Sequence, residues 1–303
     1  MESQGAIISN TRTKGISLVL IAAIFWGVSG TVAQFLFHHQ GFSTSWLTVI
    51  RLLLSGIGLL VFAHTIGGDN IWAIWKNKRE AIQLVIFGIF GMLAVQYTYF
   101  AAIEHGNAAT ATVLQYLAPV IIACYLCMQS KALPSKFELI AITLALIGTF
   151  LLVTKGNIHT LSISLPGFLW GILSAFALAF YTIYPGNLLA RWGSLITVGW
   201  GMLIGGISFS FIHPPWKFQG TWSVSSFLAV VSVVILGTLI AFFCYMESMK
   251  YIGASEASLL ASAEPLSAAF LAVVWLQVSF GLAEWVGALA IIATIFILSL
   301  VKK

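Results

Sequence analysis

Ten apolar stretches, each long enough to cross a bilayer, follow one another along the 303-residue chain with short polar breaks between them. They cover residues 15–37, 44–64, 82–103, 108–129, 137–154, 166–189, 193–212, 224–249, 254–277 and 283–301. A helix of roughly 20 residues spans the hydrocarbon core. The pattern therefore predicts an all-α integral membrane protein of ten transmembrane helices, with no segment long enough for a soluble domain. The runs are continuously apolar and lack the period-two alternation of a membrane barrel. The first run is too long for the apolar region of a signal peptide, and nine more follow it.

Charge points the same way. Only 8% of residues are charged and 60% are hydrophobic, against roughly 25% charged in soluble domains. Lipid is thus the expected main partner. A net charge of +5 would suit nucleic acid, but its distribution does not. With the N-terminus cytoplasmic, inner loops hold Arg12, Lys14, Lys76, Lys78, Arg79, Lys131, Lys136, Arg191, Lys250, Lys302 and Lys303, and outer loops only Lys155 and Lys217. Eleven against two is a positive-inside pattern. It predicts cytoplasmic termini in a bacterial cell membrane, and no nucleic-acid partner.

Cys124 and Cys127 have C-x-x-C spacing, but they lie in an apolar helix with no second pair and no nearby histidine. They and Cys244 read as packing residues. The six histidines (His38, His39, His64, His105, His159 and His213) fall in loops or at span ends, and none pairs with metal-binding spacing. Neither a metal nor a cofactor is expected.

The chain also repeats itself. Residues 99–119 read YFAAIEHGNAATATVLQYLAP and residues 245–265, 146 positions on, read YMESMKYIGASEASLLASAEP. Without gaps the alignment pairs Ala108 with Ala254, Leu114 with Leu260, Pro119 with Pro265 and Glu138 with Glu284. Dividing the chain into residues 1–155 and 156–303 gives five spans to each copy. Five is odd, so the second copy must enter the membrane from the opposite side. Such inverted repeats have two near-equivalent arrangements, open to one face or the other, which is the basis of alternating access.

AAIFWGVSGTVAQ in the first span, the arginine early in the second, AAIEHGNAATATVLQYLAP, and ASEASLLASAEPLSAAF together resemble the EamA family of the drug/metabolite transporter superfamily. The resemblance covers essentially all ten spans. It implies ten helices with both termini cytoplasmic, a central cavity between the repeats, and carriage of small metabolites. The first half is closest to carriers of carboxylates, amino acids or amines. One departure is visible: where many members carry a G-E-R-like turn, this chain reads Met128-Gln129-Ser130-Lys131 and Leu276-Gln277-Val278.

Depth selects candidate site residues. Trp26, Tyr97, Gln115, Tyr116, Tyr181, Tyr245 and Glu264 lie away from both headgroup layers and form the expected substrate-binding set. Aromatic walls could hold an apolar group or an ammonium, and each ring taken alone could equally be packing. Trp72, Trp75, Trp216 and Trp222 read instead as interfacial belts. Pro119 and Pro265 sit at matching mid-depth positions and read as hinges, since each removes a backbone donor; an inherited bend is the plainer alternative. Glu264 is the sharpest position. A carboxylate at mid-membrane costs at least about 2.5–3.5 kcal/mol and should face protein or water. It could carry a coupling proton, bind an ammonium, or simply fix the fold. Arg51 could attract a carboxylate, pair with a buried acid, or snorkel outward. Gly167-x-x-x-Gly171 and Gly201-x-x-x-Gly205 suggest close helix crossings.

The function expected is secondary transport of small metabolites through a central cavity, by a monomer or a homodimer. A passive channel and a membrane-embedded enzyme are the alternatives. The spans offer one mid-depth acid and no mid-depth histidine, which is poor material for catalysis, and the chain has no nucleotide-binding motif.

Overall fold

The apolar runs become helices, and polar residues at several of the breaks supply hydrogen bonds that the end turns lack. The computed structural model describes residues 2–65, 70–131, 133–157 and 163–299, except the side chains at 2–11, 246, 250, 253–256, 258–259 and 298–299. His159, Lys302 and Lys303 lie outside the described residues, as do the side chains of Lys250 and Glu256.

The helices are α1 (Glu2–Gln40), α2 (Thr44–Thr65), α3 (Lys78–Ile86), α4 (Ala94–Glu104), α5 (Ala108–Gln115), α6 (Ala118–Ser130) and α7 (Lys136–Thr154). Then come α8 (Leu165–Ile183), α9 (Gly186–Ser210), α10 (Val224–Val231), α11 (Ala241–Leu260), α12 (Ala263–Val274) and α13 (Leu282–Ser299). Two π-helical stretches, Phe87–Leu93 and Ser232–Ile240, join α3 to α4 and α10 to α11. Asn107 caps α5 and Ser164 caps α8, while Ser135 with Glu138 forms a capping box on α7.

Eight helical segments are long and apolar enough to cross a bilayer, and Ala263–Val274 and Leu282–Ile297 are shorter apolar helices that supply the ninth and tenth spans. The eighth and ninth spans meet inside α11. Ser29 lies against Gly237, and Gly15 against Ile252, so this stretch runs antiparallel to α1. Val19 clusters with Ala257 and Ala261, and Gly27 lies against Glu264 and Ala268, so the next stretch runs parallel to α1.

The repeat is legible in the backbone beyond the letters. The π stretches recur at the 146-residue offset, and the turns at Tyr116–Leu117 and Ala261–Ser262 that break the fourth and ninth spans recur within one residue of it. Lys131 and Gln277, also 146 apart, both adopt left-handed geometry with φ of 53°. Each of the two loops that depart from the family's usual turn thus holds a left-handed residue at the matching position. Glu138 accepts from the Ser135 amide, and Glu284 accepts from the Gly281 amide in the same way.

Packing follows the same symmetry. The first span packs on the eighth and ninth, just as the sixth packs on the third and fourth. The second and seventh spans pair with each other, as do the fourth and ninth, and the fifth and tenth. Pairs of equivalent helices crossing antiparallel are what a two-fold axis in the membrane plane produces. Small residues permit the approach, because helices in lipid associate by close packing rather than by hydrophobic drive. Gly148 and Gly287 meet backbone to backbone at one of these crossings: a Cβ on either would lie 2.7 or 2.6 Å from the other's carbonyl oxygen.

Candidate functional site

The break in the ninth span explains why polar atoms gather at mid-depth. Pro265 has no amide hydrogen, so the Ala261 carbonyl one turn earlier loses its usual helical partner. That carbonyl instead receives the Glu264 amide at 3.0 Å. The Tyr116 hydroxyl, from the break in the fourth span, also lies 3.0 Å from it. The same hydroxyl lies 3.0 Å from Glu264 Oε2. Residues 116 and 261 sit almost one repeat length apart, so this contact falls where the two repeats cross.

A cavity of about 860 Å³ opens beside this contact, a volume suited to a small organic ligand. Its floor is polar, with Ser29, Arg51, Gln96, Tyr99, Gln115, Tyr116 and Glu264. Its walls are largely aromatic and aliphatic. Trp26 stands edge-on to Phe242 at 5.4 Å and tilted on Tyr245 at 5.3 Å, and all three line the cavity. Tyr181 stacks on Phe87 at 5.6 Å. Toward the mouth come Leu126, Glu138, Pro185, Leu189 and Ser194, which lie on the face bearing most of the loop lysines and arginines.

The opposite end is closed. Tyr99 bonds Thr112 at 2.7 Å beneath a packed layer of Leu36, Phe37, Phe100 and Ile103. Beyond that layer Phe42, Trp46, Phe218 and Trp222 interlock, and Trp46 Nε1 donates to the Pro215 carbonyl at 2.8 Å.

Of the residues singled out by depth, Trp26, Gln115, Tyr116, Tyr181, Tyr245, Glu264, Arg51 and Pro119 lie on this one cavity. Pro265 is buried and does not line it. Tyr97 is not on the wall; it packs edge-on between Trp170 and Phe209 at 5.6 and 5.1 Å, and its neighbour Gln96 faces the cavity instead. Arg51 neither snorkels nor pairs with an acid. It is 5% exposed, donates to Thr238 and to the Gly237 carbonyl, and lies over the Phe100 ring. Ser29, Tyr99 and Thr238 are site residues that depth alone does not single out. A buried arginine that needs hydrogen-bond acceptors was the available signal for Thr238, a lone hydroxyl in an apolar run. Among the described residues no three metal-ligating side chains come together.

Comparison with known proteins gives a consistent answer. The model of the EamA-like transporter family matches residues 13–154 and again 165–300. An uncharacterized inner membrane transporter of Salmonella typhimurium, YicL, is 44% identical over 97% of both chains. An uncharacterized transporter of Bacillus subtilis, YwfM, is 26% identical over 89% of this chain and 88% of its own. A solved crystal structure shares the fold with a TM-score of 0.59 over 96% of both chains, at 18% identity.

Proposed function

The chain belongs to the EamA-like transporter family, and from that premise we propose that it carries small charged metabolites by alternating access, with Glu264 binding a coupling proton. The substrates are amino acids, amines or carboxylates. The observation that carries this reading is a closed-ended cavity whose floor lies at the crossing of the two repeats and holds the Tyr116–Glu264 contact. On the positive-inside orientation, with both termini cytoplasmic, that cavity faces the cytoplasm. Rocking the repeats 1–155 and 156–303 about the breaks at Pro119 and Pro265 would close this mouth and open the other.

Hydrogen-bond arithmetic supports the proton's place. The Tyr116 hydroxyl has one hydrogen, and both the Ala261 carbonyl and an ionised Glu264 are acceptors only. Making both Tyr116 contacts hydrogen bonds at once takes a neutral Glu264 that donates to Tyr116 while Tyr116 donates to Ala261, whose carbonyl already holds the Glu264 amide. Loss of that proton would force Tyr116 to choose, and the carbonyl beside the Pro265 break would lose its side-chain partner. Proton binding and helix geometry are thus linked at one point.

The test is proteoliposome uptake of an amino-acid mixture with and without an imposed pH gradient. Protein with Glu264→Gln should fold and bind, yet no longer respond to the gradient. An undiminished response in that variant would remove the proton from Glu264 and leave the carrier reading standing.

A further inference from the structure

The ordinary partner of an arginine inside a membrane is an acid, and among the described residues none lies within ion-pair distance of Arg51. Glu264 faces the same cavity but is bonded to Tyr116, and no ion pair joins it to Arg51. What holds Arg51 is a distortion of the eighth span. In a regular helix the Ala241 amide would bond the Gly237 carbonyl; across the π stretch it bonds the carbonyls of Leu236 and Thr238 instead. The released Gly237 carbonyl accepts from Arg51 Nη2 at 3.2 Å.

Thr238 completes the seat. Its hydroxyl donates to the Val233 carbonyl, five residues back, at 3.1 Å. With its proton directed there, its lone pair is free to accept from Arg51 Nε at 2.8 Å. Gly237 must be glycine, because a Cβ would stand 2.2 Å from Ser29 Cβ on α1. The widened turn is therefore wedged against the first span and cannot drift away from the arginine.

A guanidinium has five N–H donors. Two are used here, one on Nε and one on Nη2, and Arg51 lies on the cavity floor with Phe100 beneath its plane. A buried cation without a counter-charge in contact is costly in this environment, and its remaining donors form a fork suited to a carboxylate. The second repeat has no equivalent: the position 146 residues after Arg51 is Thr197.

We propose that Arg51 is the anion subsite of the cavity and that Thr238, on the π-helical turn, is the residue that positions it. The proposal rests on the carrier reading and narrows it. The carboxylate of the substrate docks on Arg51, and a substrate lacking one is held poorly.

The experiment is a ligand-induced thermal shift on the full-length purified protein. The probes are the twenty common amino acids, each compared with the amine left by removing its carboxylate. At least one amino acid should stabilise the protein about ten-fold more tightly than its matched amine. Thr238→Val should erase that preference by weakening the amino acid about ten-fold, whereas Thr238→Ser should stay within about three-fold of the parent; a hydrogen bond to a charged group has this size. Should Thr238→Val fail to fold, Arg51→Lys, which keeps the charge and loses the fork, is read the same way. Equal binding of amine and amino acid, an intact preference in both variants, or no binding by any amino acid would each overturn the subsite. The carrier reading is scored separately by flux. Flux of amines alone would sink the subsite and spare the carrier, and carboxylate binding without flux would do the reverse.

Discussion

Tyr116 makes a simple substitution informative. Changing it to Phe removes one hydroxyl, leaves the ring in its packing, and costs roughly 1 kcal/mol per hydrogen bond lost. Tyr116→Phe should therefore fold, and its gradient-driven uptake should weaken without reaching the level of Glu264→Gln. Uptake equal to the parent at every pH would show that the contact with Glu264 is idle. The same scale shows what the sequence could and could not tell. Glu264, Gln115 and Tyr116 were legible because depth along a helix is counted at about 1.5 Å per residue. Azimuth was not legible. Tyr97 and Gln96 share a depth but point about 100° apart, and the π stretch at Phe87–Leu93 just before them shifts the helical phase. No periodicity count can place a side chain downstream of an extra residue it does not see. Arg51 shows the same limit: its depth was plain, but its acceptors came from residues 186 and 187 positions away.

Helices pair here by how closely their backbones can approach. Gly148→Ala would drive a Cβ to 2.7 Å from a main-chain oxygen of α13, which cannot rotate aside as a side chain would. Overpacking of this kind costs about 1–3 kcal/mol, so the thermal midpoint in detergent should fall by several degrees. Gly186→Ala is the contrasting variant, since a Cβ there meets nothing within 4 Å; its midpoint should hold or rise. A Gly148→Ala protein as stable as the parent would mean that the α7–α13 crossing is looser than described. The helices themselves were readable from ten apolar runs. The paired π stretches were not, because a π turn has no composition of its own. It arises where packing against a neighbouring helix favours one extra residue.

At the scale of the whole molecule, ten spans, two inverted repeats and a cavity closed at one end are the parts that the proposed mechanism uses. The opposed orientation of the repeats was readable from an odd number of spans and a skewed distribution of lysine and arginine. Which face the cavity opens on was not, because no count along the chain shows which end of the bundle is packed shut. In a background lacking Cys124, Cys127 and Cys244, Asn157→Cys should react with an impermeant thiol reagent added outside, and Ser194→Cys with reagent admitted inside. Reversed labelling would invert the proposed orientation. The most direct measurement of the central claim is counterflow. Proteoliposomes preloaded with unlabelled amino acids should take up labelled amino acids saturably and faster than empty ones, because one site alternates between two faces. Linear uptake indifferent to the preload, or uptake no greater than in protein-free liposomes, would contradict it.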